Sequence, residues 1–167
     1  MTLRLILTRH AKSSWGQPGL GDHERPLNAR GRNAAAAIGG WLTTQGYLPG
    51  QALVSSATRT QETWERIAAR MPSAPSADIL PRLYLAEPED MLAALQKAQA
   101  PVVILIAHNP GSAWLAQGLA NTPPAHPDFA RYPTAATAIL DFDAESWSDV
   151  TWGTGQVVDF TVPRDLT

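Results

Sequence analysis

Two short apolar runs in this chain each end at a histidine. Residues 3–8 lead to His10, and residues 102–107 lead directly to His108. Both runs are rich in Ile, Leu and Val, which is typical of central strands that are covered on both faces. In open parallel sheets the ligand crevice lies outside the carboxyl ends of the strands. The sequence therefore predicts that the two imidazoles face one pocket.

Strand and helix patterns alternate along most of the chain. Asn28 is a suitable N-cap for a helix over residues 28–45, and Gly46 ends that helix. The patterns predict further helices over 58–71, 87–99 and 111–120, and short strands at 52–55 and 79–80. After a proline-rich loop at 121–133, strands are predicted at 137–142 and 156–162. The alternation favours βαβ units in a three-layer α/β/α sandwich.

Length and charge narrow the classes of function. The 167 residues suit a single domain over residues 1–167. The net charge of -2 and the lack of a basic stripe argue against nucleic acid and against an anionic membrane, so an anion site has to be local. No apolar stretch approaches the roughly 20 residues that span a bilayer. The first apolar run leads straight into Arg9 without a cleavage site, so we expect a cytoplasmic protein; the oligomeric state stays open.

Cysteine and metal chemistry find no support in the sequence. The chain has no cysteine, which excludes thiol nucleophiles and cysteine zinc sites. Its four histidines show no helical i, i+4 spacing, and the two at strand ends stand among arginines that would repel a cation. We therefore expect no metal ion and no cofactor.

The residues around the two strand-end histidines favour phosphate chemistry. A neutral imidazole at His10 can attack phosphorus, and water can then cleave the phosphohistidine. The guanidinium of Arg9 disfavours the imidazolium and keeps a nitrogen lone pair available. Arg59 stands in a predicted first helical turn, where the dipole repels a cation but the backbone N–H groups favour an anion. His108 and Asn109 are candidates to contact the same anion from the opposite side.

Four motifs occur in order between residues 3 and about 120, at predicted junctions between elements. They are Arg9-His10 with Lys12-Ser13-Ser14-Trp15, Arg25-Pro26-Leu27-Asn28 with Gly31, residues 55–63, and His108-Asn109-Pro110-Gly111. Together they resemble the histidine phosphatase superfamily (phosphoglycerate mutase-like), and within it the SixA-like phosphohistidine phosphatases. The resemblance implies a mostly parallel sheet of about six strands, one of them antiparallel, and no metal.

Carried over to matching positions, the resemblance implies a role for four residues. His10 would be the nucleophile, Arg9 and Arg59 would bind the phosphate, and His108 would be the second histidine of the site. It further implies a phosphoenzyme intermediate on His10, and so a phosphatase that needs no cofactor.

Departures from the family's common pattern favour the SixA-like branch. Ala11 stands where glycine is commonest in the family, and SixA-like members also have alanine there. Gly16 stands where phosphoglycerate mutases carry an asparagine that binds phosphate. The large insertion of acid phosphatases and phytases is absent, which implies an open pocket that could admit a side chain of another protein.

The general acid is the least determined part of the site. Glu87 lies roughly where family members that act on alcohol phosphates have a carboxylate, but it also suits an ordinary acidic helix start. Ser13 is a candidate hydrogen-bond donor to phosphate. Arg25 could contact the phosphate or the substrate, and the alternative is a salt bridge within the charged loop 22–25.

Three hypotheses of function follow. The first is hydrolysis of phosphohistidine on a protein, because imidazole leaves without a dedicated acid. The second is a phosphatase for small phosphate monoesters, with Glu87 as general acid. The third, from another class, is a non-catalytic module that binds phosphate groups; the complete set of two histidines and two arginines speaks against it.

Overall fold

The computed structural model describes all 167 residues. It contains six strands and four α-helices, joined by loops and short 3-10 turns. In chain order the elements are β1 (Thr2–Arg9), α1 (Ala29–Gln45), β2 (Gln51–Ser55), α2 (Thr58–Ala68), β3 (Ala77–Leu80), α3 (Pro88–Leu95), β4 (Val102–Ala107), α4 (Gly111–Leu119), β5 (Thr137–Asp143) and β6 (Gln156–Thr161). No helix combines the length and the apolar character that crossing a membrane requires.

The six strands form one sheet in the order β3-β2-β4-β1-β5-β6. Neighbours from β3 to β1 pair in parallel, whereas β5 pairs antiparallel with both β1 and β6. Only β5 therefore runs against the other strands, and the predicted mostly parallel sheet with one antiparallel strand is confirmed. In the centre, Arg9 of β1 is in register with Ala107 of β4. The chain consequently leaves both strands at the same level of the same edge.

Helices cover both faces of the sheet, as the predicted three-layer sandwich requires. Side chains of α1 and α2 pack on one face against Ile6, Val54 and Ile104. Side chains of α3 and α4 pack on the other face against a set that includes Leu5 and Leu105. Successive side chains of a strand point to opposite faces, so a strand between two helical layers needs an apolar residue at every position. This explains the apolar stretches over residues 5–7 of β1 and 102–107 of β4.

The predicted helix boundaries hold at the start of each helix better than at the end. The side chain of Asn28 accepts a hydrogen bond from the Gly31 backbone N–H at 2.8 Å, and Gly46 ends α1 in the left-handed region with φ 80°. The helices α2 and α3 end earlier than predicted, at Ala68 and Leu95. From the second residue after each helix, at Arg70 and Lys97, the backbone N–H groups bond to carbonyls three residues back, which tightens the turn and ends the α-helix.

The start of α1 holds the loop that follows β1. The Asn28 N–H donates to the Lys12 carbonyl at 3.1 Å, and the Ser14 N–H donates to the Pro26 carbonyl at 2.8 Å. Gly31 allows this close approach, because a Cβ atom there would lie 2.0 Å from the Lys12 carbonyl oxygen. Two of the sequence motifs therefore serve to fix the backbone just beyond His10.

Replacing Gly31 with alanine should disturb this contact. The added Cβ cannot be accommodated against backbone, so we expect Gly31→Ala to lose about 1–3 kcal/mol of unfolding free energy, as overpacked sites do. Gly40→Ala in the same helix is the matched control: its Cβ would meet only the end of the Arg70 side chain, and alanine is the better helix former. Urea unfolding measures both. Equal stability of the two variants would contradict this role of Gly31.

Candidate active site

The sheet edge beyond β1 and β4 brings two histidines and an arginine together. The ring centroids of His10 and His108 lie 5.3 Å apart. Arg59, in the first turn of α2, places Nη2 3.4 Å from Nδ1 of His108. The exposed fractions of His10, His108 and Arg59 are 7%, 2% and 3%. Three polar side chains that are far apart in the chain thus form one almost fully buried cluster.

The hydrogen bonds of His10 fix its tautomer. Its Nδ1 lies 2.7 Å from the Ala11 carbonyl oxygen. A carbonyl oxygen only accepts, so Nδ1 carries the hydrogen and Nε2 keeps a free lone pair. Burial, together with the charges of Arg9 and Arg59, lowers the pKa of His10 to about 3. The ring is therefore neutral at pH 7, with a nucleophilic nitrogen.

His108 is also neutral, but it is the opposite tautomer, with its hydrogen on Nε2. Arg59 can only donate, so Nδ1 of His108 accepts the contact at 3.4 Å. The Nε2–H of His108 then donates to Oγ of Ser55 at 2.7 Å. Burial, with the neighbouring His10 and Arg59, lowers the pKa of His108 to about 3.

Arg9 and Arg59 each retain a buried hydrogen-bond donor without a partner. Nε of Arg9 and Nε of Arg59 are both buried and make no hydrogen bond. An unsatisfied buried N–H group costs roughly 1–3 kcal/mol, and more when it is charged. Burial, and next the charge of Arg59, lowers the pKa of Arg9. The cluster is therefore short of negative charge and hydrogen-bond acceptors, which is the deficit that a phosphoryl group would fill.

Asp22 and Tyr84 belong to this cluster and were missed by the sequence analysis. The carboxylate of Asp22 accepts from Nη2 of Arg59 at 3.0 Å and from the Tyr84 hydroxyl at 2.5 Å, and its carbonyl accepts from Nη1 of Arg59 at 2.7 Å. The Tyr84 hydroxyl and Arg59 hold the pKa of Asp22 far below its usual range, so this carboxyl is ionised. Asp22 could have been suspected from the charged loop, whereas nothing near Tyr84 in the chain points to Arg59.

Ser13 and Arg25 contact each other at the rim of the cluster. Nη1 of Arg25 donates to Oγ of Ser13 at 2.7 Å, and Nη2 pairs with the Asp22 carboxylate at 3.0 Å. The guanidinium also lies 3.5 Å from the ring centroid of Trp15, which is 77% exposed. The salt bridge within the loop, given above as the alternative for Arg25, is thus the one present.

The side chain of Asn109 is engaged with protein groups. Its Nδ2 donates to the carbonyls of Arg131 and Tyr132, and its Oδ1 accepts from the Ala113 N–H in α4. Asn109 therefore links the start of α4 to the loop at residues 131–132. Nη1 of Arg9 also donates to that carbonyl, at 3.4 Å.

Glu87 lies apart from the hydrogen-bonded cluster. It precedes α3, its side chain does not cap that helix, and it is exposed. The Ala86 carbonyl beside it would lie 2.2 Å from a Cβ atom at Gly111, so the chain here packs closely on the start of α4. Glu87 is therefore near the loop that joins His108 to α4, but it makes none of the contacts that define the cluster.

Known proteins share this fold and part of this sequence. The family model described as Histidine phosphatase superfamily (branch 1) matches residues 5–84. The uncharacterized protein Rv1276c of Mycobacterium tuberculosis is 32% identical over 163 residues, which cover 93% of this chain and 99% of the relative. The uncharacterized protein ML1117 of Mycobacterium leprae is 30% identical over 165 residues, with coverage of 93% and 99%.

Two solved structures superpose over nearly the whole chain. A candidate phosphohistidine phosphatase SixA from Nakamurella multipartitia has a TM-score of 0.80 and 25% identity, and the match covers 98% of this chain and 97% of the other. The protein histidine phosphatase SixA complexed with tungstate has a TM-score of 0.79 and 24% identity, with coverage of 99% and 100%. The chain belongs to the histidine phosphatase superfamily. Its class of activity is that of a phosphatase, a hydrolase.

The neutral histidines make stability depend on pH. Both have a pKa of about 3 in the folded protein, against about 6.5 in an unfolded chain. Between these values the unfolded state binds more protons, so stability that is present above pH 6.5 is lost as the pH falls. From pH 6.5 to 5 we expect the unfolding free energy to fall with a slope that approaches about 1.4 kcal/mol per pH unit for each histidine.

Urea unfolding across that pH range measures the slope. His108→Gln removes one titrating ring and should reduce the pH dependence by about half. A wild-type unfolding free energy that is constant from pH 7 to 5 would contradict the neutral, buried state of these rings.

Removal of the Asp22 carboxylate should misplace Arg59. We expect Asp22→Ala to lower kcat/KM about 10-fold, because small displacements of a positioned group are costly in catalysis. Asp22→Asn keeps an oxygen acceptor and should recover part of the loss. Glu24→Gln, in the same 3-10 turn, is the control for a change of charge alone. An increase in kcat/KM for Asp22→Ala would instead show that Asp22 competes with the substrate for Arg59.

Proposed function

We propose that the chain hydrolyses phosphohistidine on a protein, through a phosphoenzyme intermediate on His10. The observation that carries the proposal is the state of His10: a neutral ring whose Nδ1–H is bound by the Ala11 carbonyl and whose Nε2 lone pair is free. Buried, unpaired Nε groups of Arg9 and Arg59 lie in the same cluster. A nucleophile of this kind beside unsatisfied cationic donors is suited to attack on phosphorus.

The proposed reaction has two displacement steps at phosphorus. In the first, Nε2 of His10 forms a bond to phosphorus while the P–N bond of the substrate breaks; the substrate ring carries a proton on its other nitrogen, so it departs as neutral imidazole. In the second, water forms a P–O bond and releases a proton to the solvent while the bond from Nε2 to phosphorus breaks, and inorganic phosphate leaves. Arg9 and Arg59 would stabilise the charge on the equatorial oxygens in both steps.

The charge states around the cluster support a nitrogen leaving group. Imidazole has a conjugate-acid pKa of about 6.5 and departs readily near pH 7. An alkoxide needs a positioned acid, yet Asp22 is ionised by its contacts with Tyr84 and Arg59, and Glu87 is exposed. One solved neighbour is described as a phosphohistidine phosphatase and another as a protein histidine phosphatase, which supports this preference.

The two helical layers share a single sheet, so we further propose that residues 1–167 act as one domain. The second histidine, His108, would contact the phosphoryl group beside Arg59, whose Nη2 lies 3.4 Å from its Nδ1, and not from the face opposite Arg59 as the sequence suggested. The proposed partner is accordingly a phosphorylated protein rather than a nucleic acid or a membrane.

The test compares two substrates in the presence of a chelator. We expect kcat/KM for a phosphohistidine peptide to exceed that for a sugar phosphate by at least about 100-fold, because only the imidazole leaves without an acid. His10→Ala should abolish turnover of both and should leave no acid-labile, base-stable phosphate on the protein. His126→Gln, which changes a histidine outside the cluster, should retain turnover.

Either of two results would overturn the proposal. Turnover by His10→Ala at the wild-type rate would rule out a phosphoenzyme intermediate on His10. A preference for the sugar phosphate that Glu87→Gln abolishes would make Glu87 a general acid and the chain a monoester phosphatase.

A further inference from the structure

A basic groove lies beside the histidine cluster, between α1 and the C-terminal segment that follows β6. Its volume is about 520 Å³. Four cationic side chains and one acidic side chain line it; they are Lys12, Arg30, Arg131 and Arg164, with Asp128. The whole chain has a net charge of -2, so positive charge is concentrated on this face against the balance of the molecule.

The one acidic side chain of the groove is already engaged. Asp128 is 7% exposed and pairs with Arg131 at 3.2 Å and with Arg164. The side chains of these two arginines remain 71% and 69% exposed. Lys12 and Arg30 are exposed as well and form no salt bridge. The groove therefore presents more positive charge than its own residues neutralise.

The position of Arg30 is unfavourable for the helix that carries it. Arg30 is the second residue of α1, whose first turn contains no acidic residue. A cation near a helix N-terminus is repelled by the positive end of the helix dipole. Nothing in the groove offsets this cost, because no carboxylate faces Arg30 at salt-bridge distance. An anionic ligand in the groove would offset it.

The groove shares a wall with the histidine cluster. Lys12 is two residues beyond His10. On the other side, the Ala135 N–H donates to the His10 carbonyl at 3.0 Å, and the Tyr132 carbonyl accepts from Arg9. The segment 131–135 thus has one side towards the cluster and contributes Arg131, Pro133 and Thr134 to the groove. A chain whose phosphorylated residue is at His10 could continue directly into it.

We propose that this groove binds an acidic segment of the protein substrate, next to its phosphorylated residue. A single phosphate ion would engage one or two of the cations. Four cations distributed over a groove of about 520 Å³ suit several carboxylates in succession. Ala34, Ala37 and Val162 add apolar wall between the charges, which fits the aliphatic parts of a polypeptide. The kinetic part of this proposal rests on the proposed function; the binding part does not.

Binding is tested with an unphosphorylated, fluorescein-labelled ten-residue peptide rich in Asp and Glu, by anisotropy on the wild-type protein. The reference peptide has Asn and Gln in their place. We expect the acidic peptide to bind more tightly, and Arg30→Glu to weaken it about 10-fold at low salt, with a smaller effect at high salt. Arg66→Glu is the matched control, because it makes the same change in net charge at an exposed position of α2 outside the groove.

The kinetic arm uses phosphohistidine peptides with acidic or amide flanks. We expect the wild type to prefer the acidic flank in kcat/KM, Arg66→Glu to keep that preference, and Arg30→Glu to lose it. Equal effects of Arg30→Glu and Arg66→Glu would overturn the proposal, since only general charge would then matter. Arg30-dependent binding of tripolyphosphate without binding of the acidic peptide would overturn it in favour of a small polyanion.

The two proposals can fail separately. If the unphosphorylated peptide binds through Arg30 but no phosphopeptide is hydrolysed, the groove stands and the proposed function fails. If phosphohistidine is hydrolysed without regard to the flanking residues, the proposed function stands and the groove assignment fails.

Discussion

The parallel pairing of β1 with β4 is the contact on which the site depends. These two strands lie in the middle of the sheet, and Arg9 is in register with Ala107. The next residue of each chain segment is a histidine, so two positions that are 98 residues apart in sequence (108 minus 10) come to lie with their rings 5.3 Å apart. A change of register by one residue would turn a whole strand over and send its apolar side chains to the wrong face. Packing of the core therefore enforces the geometry of the histidine pair.

Burial of this cluster sets its chemistry as well as its position. Burial, together with the neighbouring arginine charges, keeps both rings neutral, which lowers stability in acid but leaves nitrogen lone pairs in place. The Asp22 carboxylate accepts a hydrogen bond from Nη2 of Arg59, whereas the buried Nε of Arg59 has no hydrogen-bond partner. The site is thus prepared for an anion by groups that are not fully satisfied without one, a common feature of functional sites. Its supports, by contrast, are well satisfied: Asn109 and the start of α1 form several hydrogen bonds to backbone groups.

The surroundings of the cluster bear on the choice of substrate. On one side the ionised Asp22 and the exposed Glu87 offer no carboxylic acid in hydrogen-bond contact with the histidines. On another side lies the basic groove, which Lys12 and the segment 131–134 line. The first observation favours a leaving group that needs little protonation, and the second favours a substrate with an acidic neighbourhood. The substrate proposed above, phosphohistidine beside acidic residues of a protein, would satisfy both conditions together.

Local physical chemistry in the sequence was enough to determine the strands, the helix starts and the principal residues of the cluster. Short apolar runs in β1 and β4 indicate strands buried on both faces, Asn28 and Gly46 mark the ends of α1, and a strand-to-helix junction identifies Arg59, because each signal lies within a few residues. The early ends of α2 and α3, the partners Asp22 and Tyr84, and the internal contacts of Asn109 were decided only by the tertiary structure. So was the groove, whose cations come from four separate parts of the chain. Contacts between distant segments depend on how elements pack, and no pattern within one segment records them.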